Sequence, residues 1–221
     1  MSRLPLIAAI GVAIGAAGYF AFPSSSPETG ISLGAVQAQE SSEVDTSIVQ
    51  EMTMGNPDAA VTVVEYASYT CPHCKSFHEG VLPQIKENYV DTGKVQFIYR
   101  EVYFDRYGLW AGMVARCGGG DRYFGIADMI YDQQGSWTKG EDAAAIAGNL
   151  KKIGLTAGLA PETIDACMQD ATKAQAMYAL FQQNAEADEI TSTPSFIING
   201  EKYANMSYAD FAEVLDEKLG E

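Results

Sequence analysis

Cys71-Pro72-His73-Cys74 sets two thiols three positions apart, with a proline beside one and an imidazole beside the other. The thiolate is the nucleophile in disulfide exchange, so the chemistry of such a pair depends on which sulfur ionises. If a helix begins near Pro72, Cys71 lies at its N-terminus, where free N–H groups and the positive dipole end favour an anion. A protonated His73 adds a second positive influence. Cys-x-x-Cys thiols span pKa values of roughly 3.5 to 7.5, so Cys71 is expected to be ionised at neutral pH. A favoured thiolate stabilises the reduced form and makes the disulfide a stronger oxidant. Position assigns the roles: Cys71, at the exposed tip, attacks or is attacked, and Cys74, one turn inside, resolves the mixed disulfide. Pro72 keeps the first turn stiff.

Two other readings of the pair compete. Zinc asks for four ligands, and beyond these sulfurs the chain offers only His73 and His78, with no second Cys-x-x-Cys. A purely structural disulfide across so small a loop would restrict little of the unfolded chain. Glu65, six residues before Cys71 in an apolar run, is the other candidate. Buried beneath the thiols, it would have a raised pKa and shuttle a proton to or from Cys74; the alternative is an exposed edge acid. The remaining cysteines, Cys117 and Cys167, form a natural second couple, read as a structural disulfide rather than a second redox centre because neither lies in a Cys-x-x-Cys arrangement.

The elements that must position these groups follow from the pattern. Val61 to Ala67 is a β-branched run suited to a buried strand. A helix from about Pro72 to Tyr89 carries Phe77, Val81, Leu82, Ile85 and Tyr89 on one stripe, with a kink at Pro83. Val95 to Arg100 alternates as a second strand, and strand, helix, strand at these lengths make a right-handed βαβ unit with parallel pairing. From about 105 to 187 helix formers dominate, in pieces near 107–117, 121–133, 141–154, 161–170 and 171–187; this block is expected to have its own small core. Ser195 to Ile198, Asn199-Gly200 and Lys202 to Ala204 read as a hairpin, followed by a helix from Ser207 to Leu219. Tyr66 and Tyr69, near the motif, are expected to serve core packing before any substrate surface.

With 221 residues, 47% hydrophobic and 19% charged, the chain is globular and long enough for one elaborated domain. Twenty-nine acids against fourteen bases, a formal charge of -15, exclude a nucleic-acid partner, since phosphate neutralisation needs a basic surface. Arg3 precedes the uncharged run Leu4 to Phe22, an export segment that is either cleaved, with Val36-Gln37-Ala38 as the cleavage site, or kept as an inner-membrane anchor. Residues 23–47 read as a flexible linker.

Glu65, the Cys71-Pro72-His73-Cys74 motif, the helical block and a later Thr193-Pro194 before a strand together resemble the DsbA-type thioredoxin-fold thiol:disulfide oxidoreductases of the bacterial envelope. The resemblance covers roughly residues 48–221. It implies an α/β thioredoxin fold, formed by 48–104 and 188–221, with an all-helical insertion at 105–187. It also implies Cys71 as nucleophile, Cys74 as its buried partner, Glu65 as proton relay and Pro194 as a cis-proline against the disulfide, with the Thr193 backbone pairing an extended substrate. The implied activity is introduction of disulfides into reduced, unfolded exported proteins in the periplasm by a monomer without bound cofactor or metal, reoxidised by a DsbB-type quinone-linked membrane oxidase. One residue departs: the best-known oxidases carry valine where Thr193 stands, and threonine is what many envelope isomerases and reductases carry. Residues 23–60 are too short and polar for the dimerisation domain that isomerases use. A redox-inactive chaperone or surface protein on the same fold is the rival of a different class.

Overall fold

The computed structural model describes residues 44–221; the export segment, the cleavage site and residues 23–43 of the linker lie outside the described residues. Among the described residues, no helix is long and apolar enough to cross a membrane.

Five strands form one sheet in the order β1-β3-β2-β4-β5: Met52–Gly55 (β1), Val61–Ala67 (β2), Val95–Glu101 (β3), Ser195–Ile198 (β4) and Glu201–Ala204 (β5). β2 and β3 run parallel, as the βαβ reading requires, and the remaining neighbours are antiparallel. β1 carries no strand signal of its own; four residues containing two methionines have weak β-propensity, and pairing with β3 makes them a strand. Central β2 is covered on both sides, which is why its β-branched run lacks polar alternation. β3 does alternate: Val95, Phe97, Tyr99 and Glu101 are buried, and the residues between them are half-buried. The hairpin turn has positive φ at both Asn199 and Gly200, the combination that Asn-Gly supplies at least cost.

The helix after β2 is not one kinked rod. Pro72–Gly80 (α1) ends at Val81, Leu82–Ile85 (α2) follows with Pro83 near its start, and Lys86–Val90 closes as a π-helical turn. Pro83 has no N–H to continue the ladder, so the break falls where the sequence places it. Between β3 and β4 lie Arg106–Arg116 (α3), Gly120–Asp132 (α4), Gln134–Trp137 (α5), Ala143–Thr156 (α6), Pro161–Gln169 (α7) and Ala171–Ala187 (α8); Tyr208–Leu219 (α9) ends the chain. Asp105, Asp142, Asp170 and Ser207 cap α3, α6, α8 and α9 by accepting hydrogen bonds from first-turn N–H groups. The short α5 sits where Gly135-Ser136 reads as a break.

The helical block does not keep a core to itself. Val114, Tyr123, Ile126, Ile130, Leu150 and Ile164 join Val63, Phe97, Phe77 and Phe196 in one continuous buried cluster, because α3 and α4 lay their apolar stripes on the same core as the sheet. A buried ion pair crosses that junction: Arg116 donates through Nε to Glu101 Oε1 at 2.8 Å and through Nη1 to the Gln50 carbonyl at 2.6 Å. Tyr123 donates to the same Glu101 oxygen at 2.8 Å and accepts from Tyr69 at 2.9 Å.

Cys117, at the end of α3, is disulfide-bonded to Cys167 in α7, with Cα atoms 5.9 Å apart and fifty positions between them in sequence. Closing a loop of that length restricts the unfolded chain by about 4 kcal/mol in the chain-entropy model. The double variant Cys117→Ala/Cys167→Ala is therefore expected to lose up to about that much stability, read as a lower urea midpoint. An unchanged midpoint would show that the bond is not a staple.

Candidate active site

Strand period places Glu65 on the same face of β2 as Val61, Val63 and Ala67, the face that α1 covers. On α1, Cys74, Phe77 and His78 occupy i, i+3 and i+4 and are buried together. Cys74 and His78 therefore sit one turn apart above Glu65. Cys71 is the N-cap of α1, with extended backbone and no side-chain capping bond, and its carbonyl accepts the first helical hydrogen bond, from Lys75 N at 3.1 Å.

The two thiols differ sharply. Cys71 is 9% exposed and Cys74 is 0% exposed. The Cys71 thiol is held down to about 5, chiefly by a hydrogen bond from the Cys74 thiol, against the opposing effect of burial. Thr193 and the backbone N–H groups of Cys74 and His73 add to the lowering. The thiol of Cys74 is pushed far up, first by burial, then by its hydrogen bond to Cys71 and by the Glu65 carboxylate. One sulfur is poised as an anion and the other is held as a proton donor beside it.

Three expectations are changed by this geometry. Cys71 is not an exposed tip: its sulfur lies under the loop before β4, 3.5 Å from the Thr193 carbonyl oxygen, while Pro72 and His73 are the exposed residues of the motif. His73 acts through its backbone N–H, and its imidazole is not among the main causes of the lowered Cys71 value. Glu65 is buried as favoured, yet it is not unpartnered: His78 Nε2 lies 3.2 and 2.9 Å from its two oxygens. In the sequence His78 reads only as a metal ligand; its i+4 spacing from Cys74 is the signal for this second position. No cluster of metal-ligating side chains occurs among the described residues.

The peptide bond between Thr193 and Pro194 is cis, and Pro194 is buried. Thr193 Oγ1 is buried with no hydrogen-bond partner among the described residues, and the Thr193 side chain lowers the pKa of both neighbouring thiols. Gln134, in the unforeseen α5, donates through Nε2 to the carbonyls of Tyr69 at 2.8 Å and Cys71 at 3.0 Å. It pins the turn that carries the motif to the helical block. Lys75 does the same from α1, donating to the carbonyls of Tyr131 at 2.9 Å and Asp132 at 3.1 Å at the end of α4. Tyr66 and Tyr69 are core residues with bonded hydroxyls, not substrate surface.

The thiol asymmetry makes a signed prediction about pH. The folded value of Cys71, about 5, lies below its ordinary thiol value of 9.0, so between these limits the folded reduced chain binds fewer protons than the unfolded one. The Cys71 thiolate should therefore add stability to the reduced protein, relative to the oxidised, that grows as pH climbs from about 5 to about 9 and is lost as pH falls through about 5. The oxidised form lacks this titration, so denaturant midpoints of both forms across that range isolate it. A difference independent of pH would contradict the assignment.

A family model described as thioredoxin matches residues 47–217. A putative protein-disulfide oxidoreductase of Rickettsia bellii is 32% identical over 172 residues, 77% of this chain and 65% of the relative. The chain thus spans less than two thirds of the length of the rickettsial relatives it matches. Disulfide bond formation protein D of Bacillus subtilis is 26% identical over 178 residues, 78% of this chain and 79% of that protein. Among solved structures, α-DsbA1 of Wolbachia pipientis matches with a TM-score of 0.72 and 28% identity, covering 77% of this chain and 92% of that one.

Proposed function

The chain belongs to the thioredoxin family and shares the fold of its DsbA members, and on that premise we propose that it is a thiol:disulfide oxidoreductase that donates the Cys71–Cys74 disulfide to reduced, unfolded exported proteins. The observation that carries this reading is the split between the two thiols. In the first step a client thiolate attacks the Cys71 sulfur; the client–Cys71 bond forms, the Cys71–Cys74 bond breaks, and the electron pair moves to Cys74. Cys74 is buried and its thiol is raised, so it must take up a proton at that moment. A second client thiolate then attacks the client sulfur and expels Cys71, a good leaving group because its thiolate is stable at neutral pH. The client gains a disulfide and the protein is left with two reduced sulfurs. Another turnover needs an electron acceptor, for which we propose a DsbB-type quinone-linked membrane oxidase.

Cys71 and Cys74 supply the redox chemistry, Glu65 the proton, and Pro72 and His73 the turn that aims the thiolate. Thr193 and Pro194 form the ledge on which an extended client segment pairs through backbone hydrogen bonds. An envelope location as a monomer, released or tethered by residues 4–22, fits a disulfide donor. Thr193 favours a second reading as an isomerase or reductase, whereas the stabilised Cys71 thiolate favours the oxidant. The deciding experiment incubates oxidised protein with reduced, unfolded ribonuclease and, separately, reduced protein with insulin. A donor oxidises ribonuclease stoichiometrically and equilibrates with glutathione as a strong oxidant; efficient insulin reduction with no ribonuclease oxidation would establish the reductase instead.

A further inference from the structure

The loop between β3 and α3 turns a group of large side chains outward beside the thiol pair. Val102 donates its N–H to the Ala67 carbonyl at 2.8 Å, and Val102 and Tyr103 are buried. Phe104, next in the chain, is 61% exposed, the most exposed large apolar side chain among the described residues. Asp105 ties this loop to the motif: one carboxylate oxygen accepts from the Tyr107 and Gly108 N–H groups, and the other from the Thr70 hydroxyl at 3.0 Å. Thr70 immediately precedes Cys71. Gly108 keeps the approach close, since a Cβ there would lie 3.5 Å from Ser68 Oγ and 3.6 Å from Thr70 Oγ1. The first turn of α3 therefore packs against the turn that delivers the reacting sulfur.

On that turn sits an arginine without an acid. Arg100 and Arg116 are each paired with carboxylates, whereas Arg106 forms no ion pair among the described residues. Its guanidinium instead lies 5.0 Å from the Tyr107 ring centre and 5.8 Å from that of Trp110, and Nη2 donates to the Tyr107 hydroxyl at 3.0 Å. Tyr107 and Trp110 meet edge to face at 5.5 Å and are half-buried against the core, so the platform under the guanidinium is fixed. A cation at this end of a helix opposes the dipole, so helix stability does not account for Arg106. Single exposed apolar residues are ordinary, but Arg, Trp and Tyr grouped at one spot have the composition of a binding hot spot.

We propose that Phe104, Arg106, Tyr107 and Trp110 form a docking surface for client segments that carry a carboxylate and an apolar side chain a few residues from the reacting cysteine. The proposal deepens the exchange reaction above and rests on it. The occupant follows from charge. Asp105 spends its carboxylate on Thr70 and the α3 N–H groups, which leaves Arg106 as the side-chain charge free to pair. The whole chain carries a formal charge of -15, but beyond about 8 Å such charge is screened at physiological salt, so the local cation decides which client flank is drawn in. The fork of Arg106 can donate to both oxygens of a carboxylate while its flat face stays on the aromatic rings, and Phe104 takes the apolar neighbour. An extended chain advances about 3.3 Å per residue, so a client held at Cys71 brings positions three to five residues away, about 10–17 Å along the chain, to this surface. Thr193 and Pro194 align the client backbone; this surface reads its side chains.

The test mixes oxidised protein with dithiol peptides in which one glutamate is scanned from about two to about six positions on either side of the attacking cysteine, each matched by glutamine and lysine versions. Wild type should oxidise at least one glutamate peptide about fivefold faster than its lysine match, a preference that shrinks as salt rises from about 0.01 M to about 1 M. Arg106→Glu should invert that preference and Arg106→Gln abolish it, a swap that a merely structural role would not produce. Phe104→Ser should remove the advantage of leucine over glycine beside the glutamate. Equal rates for the glutamate, glutamine and lysine versions, a preference unmoved in Arg106→Glu, or a leucine advantage unmoved in Phe104→Ser overturns the docking surface and leaves the exchange reaction standing. Wild type inert toward every peptide overturns both. Binding of wild type but not Arg106→Gln to phosphatidylglycerol vesicles, with peptide rates unaffected by the substitution, also overturns the surface, because the cation then serves a lipid phosphate.

Discussion

Cys74→Ala, incubated with a disulfide-bearing peptide, is expected to accumulate a covalent adduct on Cys71. The Cys71 thiolate attacks the peptide disulfide as in the wild type, but the only sulfur placed to resolve the product is gone. Burial makes Cys74 that sulfur: it is 0% exposed, out of reach of clients and adjacent to Cys71. The companion variant Cys71→Ser should form no adduct and lose disulfide transfer on the order of 10⁴-fold or more, the scale of removing a catalytic nucleophile. Non-reducing electrophoresis and mass spectrometry check both. Adducts on Cys74 instead, or none in Cys74→Ala, would reverse or remove the assigned roles.

The second large effect lies 15 positions apart in sequence and far from solvent, at Glu101 and Arg116. Arg116→Met strands a buried carboxylate that now accepts from Arg116 and Tyr123, and should cost about 3–5 kcal/mol, read from the urea midpoint. Glu101→Leu combined with Arg116→Met should recover most of that loss, because a buried ion pair replaced whole by apolar side chains is often neutral. The single variant should also loosen the motif, since Tyr69 is tied to Glu101 through Tyr123 two residues before Cys71. A single variant as stable as wild type would mean that water already reaches the pair.

Much of the frame is legible in the chain because its signals are local. Period-2 alternation in β3, the 3.6-residue stripes of the helical block, the Asn199-Gly200 turn and the Asp and Ser caps are each written within a few residues. Where the signal was weak, the reading missed: β1 exists only as a partner of β3, and α5 hides behind Gly135-Ser136, which taken alone is a breaker. The separate core expected of the helical block failed for a related reason. Apolar stripes say that a helix is covered and not by what, and here α3 and α4 share the buried cluster of the sheet.

The sequence by itself placed the candidate thiol pair and the helix N-terminus under Cys71 and favoured a buried Glu65 over an exposed one, because motif spacing and periodicity act along the chain. Only the tertiary structure decided what surrounds them. His78 opposite Glu65, Gln134 on the Tyr69 and Cys71 carbonyls, and the Thr193 carbonyl over the Cys71 sulfur join residues 13, 65, 63 and 122 positions apart. No local propensity encodes such contacts; they are fixed by the burial of the sheet and helices that carry them, and by the cost of leaving a polar group bare once it is buried.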